Sequence, residues 1–132
     1  MTDKFCAFAL NNDDGIILRA FFNIANHWDM DAREQCLTIA AGDEITLEVW
    51  KDRSQAHQKI SIPKDARHRV GCVISIYGSL VILLNHELSK DWMRAPNTLP
   101  LFDGRCAMDL LTSGEVANLE AIARYLLSER VN

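Results

Sequence analysis

Hydrophobic and polar positions alternate along this chain with the period of a helix, and almost nowhere with that of a strand. Between residues 15 and 28, Ile16, Ile17, Ala20, Phe21, Ile24, Ala25 and Trp28 recur every three or four positions. That spacing predicts one apolar stripe on a helix of about four turns. Asp13 and Asp14 suit its start, where carboxylates meet unsatisfied N–H groups. A short second helix is predicted over 31–40, with Asp31 as cap, Glu34 at the capping-box position, Leu37, Ile39 and Ala40 as apolar contacts, and Gly42 as the stop. A third runs from 43 or 44 to about 51, with Ile45, Leu47, Val49 and Trp50 as inward candidates. Two short helices across a tight glycine turn, after a longer one, outline a helix-turn-helix.

Residues 53–62 are polar and read as a loop, and Lys59–Ile62 alternates without a partner strand. Pro63 then opens a long helix, with Ser61 as candidate cap. Val70, Val73, Ile74, Tyr77, Leu80, Val81, Leu84 and Leu88 form its apolar stripe, and Gly71, Ser75 and Gly78 form a second stripe of small residues. Glycine inside a helix costs about 1 kcal/mol relative to alanine, so two on one face imply the close approach of another helix. That helix belongs either to the same chain or to a second copy across a homodimer seam, and the homodimer is the reading adopted. Ser89 is a candidate cap for a short helix carrying Trp92 and stopped by Pro96. Another turn or two follows over 107–111, ending near Gly114. Val116, Leu119, Ile122, Ala123, Leu126 and Leu127 mark a last helix to about Glu129. The predicted fold is all-α, with a helix-turn-helix and dimerisation domain over 1–84 and a small helical C-terminal domain over 85–132.

At 132 residues the chain can bury one respectable core or two small ones sharing an interface. Charge sharpens this picture. Residues 1–50 carry three basic and nine acidic side chains. Residues 51–69 carry six basic (Lys51, Arg53, Lys59, Lys64, Arg67, Arg69) against two acidic. A basic island in an acidic chain either touches phosphate or is a solvated linker and helix start. Cys6, Cys36, Cys72 and Cys106 are scattered without a CxxC or Cys/His cluster, so they read as reduced thiols and not as metal ligands. The run 70–84 falls short of the roughly 20 residues that span a bilayer, and the N-terminus lacks the pattern of a signal peptide. A cytoplasmic protein without a membrane partner is expected. His27, His57, His68 and His86 are dispersed, and GxSxG, HExxH and phosphate-cradling glycine loops are absent. No enzyme activity, cofactor or metal is expected.

A helix-turn-helix reads bases with the N-terminal part of its second helix. Here that stretch is Asp43-Glu44-Ile45-Thr46-Leu47-Glu48, whose three carboxylates the duplex would repel. The candidate readers are Thr46, Lys51, Arg53 and Gln55, with Lys59, Lys64, Arg67 and Arg69 as phosphate contacts. The alternative is a helix-turn-helix retained as a dimerisation scaffold.

The densest punctuation lies in WMRAPNTLPLFDGRCAMDLLTSG, residues 92–114. Pro96-Asn97 and Asp103-Gly104 favour sharp turns. Trp92, Leu99, Leu101, Phe102, Met108, Leu110 and Leu111 are too many for one short helix to cover, so part of this surface either faces a partner or closes the chain's own core. Trp92, Pro96, Asn97, Gly104, Arg105, Ala107, Asp109, Leu110, Leu111 and Gly114 resemble the C-terminal toxin-binding domain of the Xre/MbcA/ParS antitoxins. Trp28, Trp50 and the turn IAAG at 39–42 are similar to the N-terminal domain of the same proteins. The resemblance implies an antitoxin of a type II toxin–antitoxin system whose partner is a RES-domain toxin that degrades NAD, with operator DNA as a further partner. It also implies that the last helix and tail (Arg124, Tyr125, Glu129, Arg130, Asn132) block the toxin's active-site entrance, Arg130 pairing with acceptors there. The toxin-binding candidates are thus Trp92, Pro96, Asn97, Phe102, Gly104, Arg105, Leu110, Leu111, Arg124, Tyr125 and Arg130. A stand-alone helix-turn-helix repressor is the alternative.

Overall fold

Local chemistry sets the helix ends. The computed structural model describes residues 13–131, so Cys6 and Asn132 lie outside the described residues. Its helices are α1 (Gly15–His27), α2 (Ala32–Ile39), α3 (Glu44–Gln55), α4 (Lys64–Leu83), α5 (His86–Arg94), α6 (Ala107–Leu111) and α7 (Val116–Arg130). No strand occurs among the described residues. The fold is all-α.

Asp31 and Glu34 form the expected capping box: the Glu34 N–H donates to Asp31 Oδ1 at 2.7 Å, and the Asp31 N–H to Glu34 Oε1 at 3.0 Å. Ala40 in the left-handed region, φ 56°, ends α2 ahead of Gly42. Asp43 caps α3 by accepting the Thr46 N–H at 2.7 Å, a bond that also lowers the Asp43 carboxyl pKa. α2, residues 40–43 and α3 therefore make a helix-turn-helix, with Leu47 and Trp50 inward on α3. Ile45 and Val49 point the other way, because the inward face of α3 is completed by Ser54 and not by an aliphatic residue. On α1, Leu18 and Phe22 are buried and Ile16 is exposed: the inward stripe is rotated from the one the spacing predicted. α3 continues to Gln55, shortening the predicted loop. Pro63 itself is the N-cap residue of α4, and Ser61 makes no cap bond.

α4 is the central strut, packed on α1, α2, α5 and α7. Val70, Val73, Ile76 and Leu80 are among its buried residues. It is long and apolar enough to pass as a membrane span, though marginally, with a mean hydropathy of 1.2. The burial of that face against other helices marks α4 as a core helix. A methyl group built on Gly71 or Gly78 would meet nothing within 4 Å. Among the described residues no helix closes on Gly71 or Gly78 of the small-residue stripe. Leu88 belongs to α5, whose cap is Asn85 and not Ser89: Asn85 Oδ1 accepts the Leu88 N–H at 2.8 Å. Ser89 is buried instead, its hydroxyl donating to the His86 carbonyl at 2.8 Å.

Three polar ties with long sequence separation lock the frame. Buried Asp14 accepts Arg67 Nε at 2.9 Å and the Ile62 N–H at 2.8 Å, which anchors the start of α1 to the start of α4. Arg69, also buried, donates to Asp65 at 3.0 Å and to the Gly114 carbonyl at 3.1 Å. Arg94 on α5 donates to both Glu34 oxygens, at 3.0 and 3.1 Å, and to the carbonyls of Trp28 and Asp29. Lys90–Asp29, at 2.7 Å, reinforces that corner.

Candidate protein-docking face of the C-terminal helices

The punctuated segment folds into a self-bonded loop. The Asn97 N–H donates to the Arg105 carbonyl at 3.1 Å, and the Gly104 N–H to the Asn97 carbonyl at 2.9 Å. Asn97 Oδ1 accepts the Leu99 N–H at 3.0 Å, an Asx turn. Asp103 and Gly104 both take positive φ, 51° and 81°, which favours Asn, Asp or Gly there. The reversal drives Phe102 inward, where it is fully buried. Its ring meets Trp92 edge-on at 5.6 Å and Tyr125 edge-on at 6.3 Å, the arrangement that ring quadrupoles prefer. Ala107, Met108, Leu110 and Leu111 of α6 fill the space beside it, and Leu119, Ile122, Ala123 and Leu126 of α7 close the layer.

The toxin-binding candidates therefore fall into two layers. Phe102, Leu110 and Leu111 are in the core and cannot touch a partner; they hold the face up from beneath. Trp92, Asn97 and Tyr125 are half-buried, and Pro96, Gly104, Arg105, Arg124 and Arg130 are exposed. Of the surplus apolar surface, part of which was expected either to face a partner or to close the chain's own core, most packs inside, because α4 and α5 share the covering with α6 and α7. Leu88, Leu99, Leu127 and Val131 stay outside. Desolvation raises the Tyr125 hydroxyl pKa, with Glu129 adding to the effect.

Among the DNA candidates, Arg67 is engaged by Asp14 and Arg69 by Asp65 and Gly114, so both serve the fold and neither is free for phosphate. Thr46 and Lys51 are half-buried. Arg53 and Lys59 are exposed and adjacent, Arg53 Nη2 reaching the Lys59 carbonyl at 3.3 Å.

The structure also joins histidines that are remote in sequence. The rings of His27 and His86 stack at 3.6 Å, Tyr77 Oη lies 2.5 Å from His86 Nδ1, and His27 Nε2 donates to the His86 carbonyl at 2.6 Å. They line a cleft of about 290 Å³ with Ala20, Asn23, Ile24 and Ile74. These polar atoms bond one another. No group of three or more potential metal ligands converges among the described residues. Cys36, Cys72 and Cys106 are free, and burial raises the thiol pKa of Cys36 and Cys72.

Comparison with known proteins bears on this face directly. The family model for the antitoxin Xre/MbcA/ParS C-terminal toxin-binding domain matches residues 79–130. The chain is also 32% identical over 114 residues to an uncharacterized protein, y4oB, of Sinorhizobium fredii, covering 86% of this chain and 83% of that protein. Residues 79–130 carry the Xre/MbcA/ParS C-terminal domain. The family domain starts inside α4, the helix that also packs on α1 and α2. It takes in the 97–105 loop, α5, α6 and α7. No solved structure matches the chain.

Proposed function

We propose that this protein is the antitoxin of a type II toxin–antitoxin pair, and that it neutralises a RES-type, NAD-degrading toxin by steric occlusion. The observation that carries the reading is the outer side of α7. Arg124 and Arg130 are exposed there, and Leu127 and Val131 present aliphatic surface beside them. Beneath lies a rigid base centred on Phe102. A helix held so firmly on its inner side presents its end with little entropy to lose on binding. Arg130 can pair with acceptors in a site built for a charged dinucleotide. Toxin contacts are assigned to the exposed or half-buried residues Trp92, Pro96, Asn97, Gly104, Arg105, Arg124, Tyr125 and Arg130.

Binding of operator DNA is the second part of the proposal, and the helix-turn-helix geometry favours it. Its contacts reduce to Lys51, Arg53, Gln55, Lys59 and Lys64, since the start of α3 is acidic and Arg67 and Arg69 are engaged in the fold. The protein acts as a homodimer through the open Gly71–Gly78 side of α4, next to exposed Val81, Ile82 and Leu84.

The test is co-expression with the product of the adjacent reading frame. The expected result is a stable complex on purification and an intact cellular NAD pool. If the neighbouring protein neither binds nor harms cells when expressed alone, the antitoxin reading fails. Sequence-selective, salt-sensitive DNA binding in its place would then favour the stand-alone repressor.

A further inference from the structure

The cleft of about 290 Å³ between α1, α4 and α5 is a seat for apolar groups. Ala20, Ile24 and Ile74 line it with aliphatic carbon, and His27, Tyr77 and His86 line it with rings. Those rings bond to one another and to the His86 carbonyl, so the walls they offer are apolar. On α1 the same side runs back from Ile24 through Ala20 to Ile16, which is 53% exposed, at the four-residue spacing of one helix face. The head of this track is pinned. Asp13 Oδ1 accepts the Gly15 N–H at 3.0 Å and the Ile60 N–H at 3.4 Å. The Asp14 carboxylate ties α1 to Arg67 at 2.9 Å, so the chain ahead of Asp13 joins the body where α1 and α4 begin side by side.

We propose that the run Phe5-Cys6-Ala7-Phe8-Ala9-Leu10 of the same chain doubles back along α1 and seats in this cleft. Six consecutive apolar residues gain by leaving water. Asn11 and Asn12, which follow them, favour the reversal. The reach matches as well. Ile24 lies about 14 Å along α1 from Gly15 at 1.5 Å per residue, and the chain from Phe8 to Asp13 spans up to about 17 Å when extended. Tethering at Asp13 holds the run near the cleft at an effective concentration of about millimolar order. A second copy or another protein competes only at comparable concentration, and this selects the chain's own segment as occupant. The docked run covers the His27–His86 stack, the joint between α1 and α5. This contact depends on neither the toxin reading nor the DNA reading.

Cys6 lies within the run and reports its burial. The experiment is alkylation of the full-length protein by iodoacetamide at neutral pH, with Cys6 followed over time by peptide mass mapping. In the folded protein Cys6 reacts about tenfold or more slowly than in urea. The rate is constant over an about hundredfold range of protein concentration, as an intrachain contact requires. The double variants Phe5→Ser/Phe8→Ser and Ile16→Gln/Ala20→Gln each bring Cys6 back to the rate seen in urea. Ile16 is exposed and Ala20 half-buried, and neither belongs to the buried core, so circular dichroism and Tm stay at the parental values. Cys6 reacting in the folded protein as fast as in urea overturns the proposal. Protection that grows with concentration overturns it in favour of a second copy's run. Protection that survives Ile16→Gln/Ala20→Gln overturns it by setting the run elsewhere.

Discussion

Replacing Arg94 by methionine tests how the C-terminal helices are held on the helix-turn-helix. Methionine keeps the aliphatic stem and removes the guanidinium. Four hydrogen bonds are lost, two to Glu34 and one each to the carbonyls of Trp28 and Asp29. A hydrogen bond to a charged group contributes about 1.5–3 kcal/mol when shielded. The Arg94 side chain is 40% exposed and that of Glu34 19%, so solvent screens the pair and water replaces part of what is removed. The expected net loss is about 1–2 kcal/mol for the whole cluster. The pair also leaves a mark in the pH dependence. The Arg94 hydrogen bond is the chief cause of the lowered Glu34 pKa, so Glu34 binds its proton more weakly in the folded chain than in the unfolded one. Its contribution is complete above the unfolded value, about pH 4.3, and disappears as pH falls through the depressed folded value. Urea unfolding of both proteins at pH 7 and at a series of values below pH 5 measures both effects. Arg94→Met should be less stable at neutral pH, and the difference should shrink in acid. If the two proteins unfold at the same urea concentration at pH 7, the guanidinium does not fasten the two halves together.

Phe102→Ala should cost about 3–5 kcal/mol in urea unfolding, the usual range for a buried phenylalanine; a loss below about 1 kcal/mol would mean that the ring is not the support of the C-terminal layer. Asp14→Ala strands Arg67 and the Ile62 N–H, and should cost about 2–3 kcal/mol by thermal denaturation; an unchanged Tm would refute the role given to that carboxylate. Lys51→Glu with Arg53→Glu should weaken binding to operator DNA and flatten its salt dependence in fluorescence anisotropy, with toxin neutralisation untouched; equal affinity would remove α3 and its neighbouring loop from the DNA contact.

The helices themselves were legible in the sequence, because period and caps are local. Asp31 with Glu34, Asp43 at the head of α3 and Pro63 at the head of α4 act within a few residues of where they stand. The direction each face takes was less so. Ile16, Ile45 and Val49 fit an apolar stripe by spacing, yet the inward side is set by what packs opposite, and on α3 Leu47, Trp50 and Ser54 occupy it. The basic island misled for a related reason. Arg67 and Arg69 look like phosphate ligands until Asp14 and the Gly114 carbonyl, remote in sequence, are brought beside them. Arg94 carried no local signal at all, since its acceptors lie about sixty residues upstream. At the candidate site, the turn residues at 96–97 and 103–104 showed a shaped loop. They did not show that the loop bonds to itself and plants Phe102 in the core. The exposed arginines of α7 were recoverable, because a helix stripe leaves its opposite side to solvent; Leu127, counted in that stripe, faces solvent instead.

Neutralisation by the end of α7 is tested most directly by stopping the chain after Ser128 and measuring cellular NAD while the toxin is co-expressed. Arg130 and Val131 are removed and the Phe102 layer is left whole, so the shortened protein should fold with nearly the parental Tm and still bind the toxin, but NAD should fall as it does with toxin alone. Full protection of the NAD pool by the shortened protein would contradict occlusion by this tail.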